Sequence, residues 1–111
     1  MSAITTHVLD TSRGRPAGGV TVTLEFLSDE GWKWLGGGRT DDDGRVRDLF
    51  GGEVVAGTYR LTFDTASYFL ATRTKGFFPL VQLVFKVDDP SRDHHVPLLL
   101  APYGYSTYRG S

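Results

Sequence analysis

The chain contains no cysteine, so neither disulfides nor thiolate metal ligands are available to it, in agreement with a reducing compartment. It also lacks an excess of charge: 12 Lys and Arg against 13 Asp and Glu leave a formal net charge of −1. The positive residues are scattered, which argues against a nucleic-acid surface and leaves partners that are neutral or recognised locally. No apolar run approaches the roughly 20 residues of a membrane helix. The opening MSAITTHVLD has neither the basic start nor the apolar stretch of a secretory signal. The expectation is a cytoplasmic, soluble protein with no nucleic-acid or membrane partner. At 111 residues, the chain suits one domain over residues 1–111 with one modest core.

What is present is a period of two. Val20, Val22, Leu24 and Phe26 alternate with polar neighbours, as do Tyr59, Leu61 and Phe63, and then Val81, Leu83, Phe85 and Val87. Each run predicts a strand with one buried face. Turn signals separate them: Gly18-Gly19, Gly36-Gly37-Gly38, Asp43-Gly44, Gly51-Gly52 and Asp89-Pro90. Short strands at regular spacing predict an all-β sandwich. The exception is Thr65 to Arg73, where Thr65 as N-cap predicts one short helix. At the C-terminal side, Asp93 to Ala101 and Gly104 to Gly110 predict a hairpin turning at Pro102-Tyr103-Gly104.

Three histidines are candidates for chemistry. His94 and His95 are adjacent, so on a strand only one of them faces a given cleft. Pro97 cannot donate to a ladder, so this strand sits at an edge or is interrupted there. In TTHVLD, Thr5, His7 and Leu9 share one face and Thr6, Val8 and Asp10 the other. The ordinary role of such a histidine is a half-exposed strand residue bonded to its neighbours. A catalytic zinc site needs three protein ligands, and only two histidines can converge here, so no metal is expected. Asp41-Asp42-Asp43-Gly44 fails as a calcium loop, because with Gly44 at position six the first position is Arg39 and the twelfth Phe50. It predicts instead a hairpin turn of type I′ with Asp43 and Gly44 at positive φ, which by default leaves Arg45 solvated. Neither a nucleophile elbow nor a phosphate-cradling glycine loop is found.

The C-terminal residues are unusual in kind. Chain ends fray unless something ties them down, yet HVPLLLAPYGYSTYRGS is strand-like and closes on Tyr108, Arg109, Gly110 and Ser111. An aromatic face, a guanidinium and a hydroxyl in one tetrapeptide suggest the wall of a pocket.

TTHVLDTSRGRPA, TDDDGR, GTYRLTFDT, FFP and the final HVPLLLAPYGYSTYRGS resemble, in order and end to end, the 5-hydroxyisourate hydrolases, or transthyretin-like proteins. YRGS is the most specific of these, since transthyretin, the vertebrate hormone carrier of similar fold, lacks it. The resemblance implies a sandwich of two four-stranded antiparallel sheets with one short helix. It implies a homotetramer with sites at a subunit interface, no cofactor, and 5-hydroxyisourate as the small-molecule substrate. It assigns the site to His7, Arg45, His95 and Ser111 as catalytic groups, with His7, Arg45, Tyr108, Arg109 and Gly110 binding substrate. One departure is visible: the residue before the second histidine is often Tyr in the family and is His94 here, expected to face away.

Adding water to an amide-like carbonyl needs a base, a donor for the developing oxyanion and an acid for the leaving nitrogen. Either His95 or His7, held neutral by the charge of Arg45, suits the base. Arg45 also offers a planar fork to an oxygen-rich ring edge. The rivals are a small-ligand carrier of transthyretin type and a structural adhesion module. Neither has a use for two imidazoles and a guanidinium in one polar channel.

Overall fold

The computed structural model describes residues 3–111. The strands are β1 (Ile4–Thr5), β2 (Val8–Asp10), β3 (Arg15–Pro16), β4 (Thr21–Ser28), β5 (Gly31–Arg39), β6 (Gly57–Phe63), β7 (Val81–Val87), β8 (His94–His95), β9 (Leu98–Ala101) and β10 (Gly104–Thr107), with one helix, α1 (Thr65–Ala71). Two four-stranded sheets form, ordered β5-β4-β6-β7 and β10-β9-β2-β3, and β1 pairs with β8 as a two-stranded extension. Their inner faces share one core, in which Val22, Leu24, Leu61, Phe63 and Val81 meet Val8, Leu98 and Leu100. Each such side chain contributes about 1.5–3 kcal/mol by leaving water. Tyr59 lies between Phe26 and Phe85, its ring edge-on to the first at 5.0 Å and stacked on the second at 5.8 Å.

The period-two runs become β4, β6 and β7, with their apolar residues turned inward. Several expectations are corrected. Gly36-Gly37-Gly38 is not a turn but the interior of β5, paired with Leu24, Thr23 and Val22. These glycines mark a close approach: a Cβ on Gly36 would strike the Leu49 carbonyl oxygen, and one on Gly38 would lie 2.8 Å from Val46. The turn into β5 comes earlier, at Ser28 to Gly31, with Gly31 at φ 108° and the Ser28 hydroxyl donating to its carbonyl at 2.8 Å.

The turn at Asp41 to Gly44 is not type I′, because only Gly44 has positive φ, at 79°. The Asp41 carboxylate accepts the amides of Asp43 and Arg45 at 2.9 and 3.1 Å and fixes the turn locally. The helix cap is Asp64, not Thr65: Asp64 accepts the Ser67 amide, while the buried Thr65 donates to the Phe78 carbonyl. Helix α1 stops at Ala71, before Arg73, whose φ of 53° is left-handed.

The final strand is split by Val96 and Pro97 into β8 and β9, and Pro102-Tyr103 alone joins β9 to β10, since Ala101 pairs with Gly104. Lastly, the second sheet is mixed rather than antiparallel, because β2 runs parallel to β9. Parallel neighbours need a long crossover, and here it is nearly the whole chain. No helix among the described residues is long and apolar enough to cross a membrane.

Candidate active site

The site is built where the two ends of the chain run side by side. Strand β1 is parallel to β8, with Thr5 opposite His95, and the amides of His94 and Val96 donate to Ala3 and Thr5 at 2.8 and 2.9 Å. Residues two apart share a face, so Thr5, His7 and His95 look the same way. On the other face Thr6 is buried and donates to the Val96 carbonyl at 2.6 Å. His94 is buried too, with Nδ1 2.9 Å from the Arg92 carbonyl oxygen. Only His95 of the adjacent pair stands on the face of His7.

His7 joins the Asp41 to Gly44 turn. It forms an antiparallel bridge with Arg45, and the Val8 amide donates to Gly44 at 2.8 Å. A Cβ on Gly44 would collide with the Val8 carbonyl oxygen, so this approach requires glycine for space as well as for its positive φ. His7 Nε2 lies 2.7 Å from the Asp43 carbonyl oxygen. A carbonyl only accepts, so Nε2 carries the proton and Nδ1 is the ring nitrogen left for other work. Arg45 itself is exposed, as a solvated turn residue would be, but the bridge sets it next to His7.

His95 is held from two directions. Thr5 Oγ1 sits 2.8 Å from its Nδ1, and the Gly110 amide donates to its carbonyl at 2.8 Å in an isolated bridge. Burial, then the positive charges of Arg45 and His7, hold its pKa below the ordinary 6.5. The sequence pointed to Arg45 as the cause of neutrality; burial is the larger one.

The C-terminal residues do not fray. Thr107 donates to the Pro97 carbonyl at 2.8 Å, and the Gly110 bridge continues the pairing past β10. Tyr108 and Arg109 are exposed, and together with His95 they line a cavity of about 240 Å³ that Leu83 and Phe85 of β7 also line. His7, Arg45 and Ser111 are not in that wall. The polar groups thus lie on an open surface, with the cavity as its apolar flank. Ser111 is exposed beyond Gly110. Among the described residues no group of three or more His, Asp or Glu is placed to hold a metal ion.

Two participants escaped the sequence reading: the Thr5 hydroxyl and the Asp43 carbonyl. The alternation of TTHVLD did set Thr5 on the face of His7, but its pairing with a residue 90 positions away leaves no local trace.

The sequence model of the HIUase/Transthyretin family matches residues 4–110. A 5-hydroxyisourate hydrolase of Salmonella dublin is 45% identical over 109 residues, covering 97% of this chain and 80% of that protein. Among solved structures, a 5-hydroxyisourate hydrolase of Klebsiella pneumoniae is 37% identical with a TM-score of 0.85, covering 97% of this chain and 98% of that one. Sea bream transthyretin in complex with thyroxine has a TM-score of 0.90 at 29% identity, covering 96% and 93%. With its sandwich, its single helix and a match over nearly its whole length, the chain belongs to the HIUase/Transthyretin family.

Proposed function

We propose that the protein hydrolyses 5-hydroxyisourate in urate catabolism, breaking a cyclic amide C–N bond to give 2-oxo-4-hydroxy-4-carboxy-5-ureidoimidazoline. The observation that carries this reading is the surrounding of His95: a buried-side imidazole kept neutral, beside His7 and Arg45, with Gly110 of YRGS laddered onto it. The likeness to hydrolases at 37–45% identity supports it over the transthyretin-type carrier, to which the likeness is 29%.

His95 is the base in this scheme, because its depressed pKa leaves a lone pair available near neutral pH. Water adds its hydroxide to the ring carbonyl as His95 takes the proton. The guanidinium of Arg45 steadies the oxyanion. As the C–N bond breaks, the imidazolium returns that proton to the leaving nitrogen, and the former carbonyl becomes a carboxylic acid. His7 orients the substrate through Nδ1, Tyr108 packs on the ring, Arg109 and Gly110 complete the binding surface, and Ser111 offers a hydroxyl to the water.

On one chain this surface is open, with Arg45, Tyr108, Arg109 and Ser111 all exposed. Electrostatic stabilisation is strongest where water is excluded, which favours closure by another copy in a cytoplasmic homotetramer. The edge strands β7 and β10, each unpaired on one side, are compatible with such assembly. The decisive experiment is ultraviolet decay of freshly generated 5-hydroxyisourate with and without the protein. Decay no faster than the spontaneous rate would leave the carrier reading in place.

A further inference from the structure

Thr5 and Thr6 differ in what they do. Thr6 is buried and spends its hydroxyl on the Val96 carbonyl, a structural bond between neighbouring strands. Thr5 is exposed, and its hydroxyl makes no hydrogen bond among the described residues except that to His95 Nδ1, at 2.8 Å. The contact is set by backbone register, since Thr5 and His95 are partners in the parallel β1-β8 pair. An exposed threonine whose hydroxyl is spent on an imidazole nitrogen is not a packing residue.

A neutral imidazole in water favours the proton on Nε2. That tautomer has no lone pair on Nε2, and with Nδ1 occupied by Thr5 it has none for a substrate water. A threonine hydroxyl can accept as well as donate, so at 2.8 Å it can take the Nδ1 proton and leave the Nε2 lone pair free. We infer that Thr5 is a positioning residue for His95: its hydroxyl accepts the Nδ1 proton and so holds the ring with Nε2 bare and free to act as base. The consequence for turnover rests on the hydrolase reading; the tautomer itself does not.

The test has two arms. In the first, protein labelled with 15N-histidine is examined by NMR near neutral pH, with His95→Gln assigning the His95 signals. Wild type is expected to show the proton on Nδ1 of His95, Thr5→Val to shift it toward Nε2, and Thr5→Ser to restore it. In the second arm, Thr5→Val lowers kcat about ten- to hundredfold, since misplacing a catalytic group by about 1 Å can cost on the order of a hundredfold, with KM little changed and Thr5→Ser recovering most of the rate. Melting temperatures are followed throughout, and Thr5→Ala serves as a second hydroxyl-free variant if Thr5→Val misfolds. An unchanged tautomer in the hydroxyl-free variants overturns the inference, as does a rate loss that Thr5→Ser fails to recover. If wild type does not turn over 5-hydroxyisourate, the hydrolase reading falls and the NMR arm still decides the role of Thr5.

Discussion

Gly110 rests on the imidazole of His95. Its amide donates to the His95 carbonyl at 2.8 Å, and a Cβ on it would lie 2.6 Å from Cδ2 and 3.0 Å from Cβ of the histidine. Gly110 is needed for its lack of volume rather than for its backbone freedom, because its φ is not positive. Gly110→Ala should displace either the ring or the terminal residues. A misplacement of about 1 Å can cost on the order of a hundredfold, so kcat/KM is expected to fall by at least tenfold with little change in melting temperature. Activity within twofold of wild type would show that the contact tolerates a methyl group.

His95→Asn removes the proposed base and keeps a polar side chain. Proton-transfer groups contribute about a hundred- to ten-thousand-fold, so less than a tenth of wild-type turnover is expected, in protein whose circular dichroism is unchanged. A variant above that level would reassign the base to His7.

The pH profile reports on Arg45. The His95 pKa is depressed by burial, by Arg45 and by His7, so the acid limb of kcat/KM should lie below about pH 6.5, the ordinary histidine value. Replacing the exposed Arg45 with Met takes away one of the charges that disfavour the imidazolium. The limb then moves up toward pH 6.5, though not fully, because burial persists. Arg45→Met also lowers the plateau by loss of oxyanion stabilisation. A limb that stays in place, or moves to lower pH, contradicts the electrostatic role.

Deleting Tyr108 to Ser111 takes away the Gly110 bridge and part of the cavity wall. Turnover of 5-hydroxyisourate is expected to drop by orders of magnitude while the sheets, which end at Thr107, stay folded. A C-terminal tag should impair turnover more than an N-terminal one. Equal activity of truncated and full-length protein would remove YRGS from the site.

Stability at low pH is governed elsewhere, at the buried Asp10. Its carboxylate accepts from Tyr68 at 2.6 Å, from the Ser12 hydroxyl at 2.8 Å and from the amides of Ser12 and Arg13, both at 3.1 Å. Burial, the largest single influence, pushes its pKa up, but these bonds together outweigh it and hold it below the ordinary 3.8. A depressed folded pKa stabilises the protein above the unfolded value, and that contribution is lost as pH falls through the folded one. Tyr68→Phe should therefore cost about 1.5–3 kcal/mol at pH 7, as for a hydrogen bond to a charged group, and less once Asp10 is protonated. Urea titrations from pH 7 down to the lowest pH at which the protein stays folded would check both the size and the trend; a loss that does not shrink over that range would count against the charge.

The strands were legible wherever one face is buried and the other wet, as in Tyr59, Leu61 and Phe63, because period two writes burial directly into the sequence. Strand β5 was not: Trp34 is 66% exposed, Leu35 falls in a bulge opposite Leu24 and Glu25, and its glycines serve contacts with distant segments. His7, His95 and the terminal tetrapeptide were visible as residue types, and a family resemblance tied them together. The Thr5 and Asp43 partners depend on tertiary register, which local pattern does not encode. The cap at Asp64 was missed because two capping-competent residues adjoin, and burial of Thr65 under Phe78 decided between them.

The pairing of β1 with β8 has a kinetic side. Thr5 and His95 meet across 90 positions of chain, and closing a loop of that length costs about 4 kcal/mol from its length dependence alone. Contacts so distant in sequence are slow to form, whereas the β4-β5 and β6-β7 neighbours need far shorter closures. The four-stranded sheet from β4 to β7 can therefore form before the two ends of the chain meet, and the Thr5–His95 contact is among the last to close.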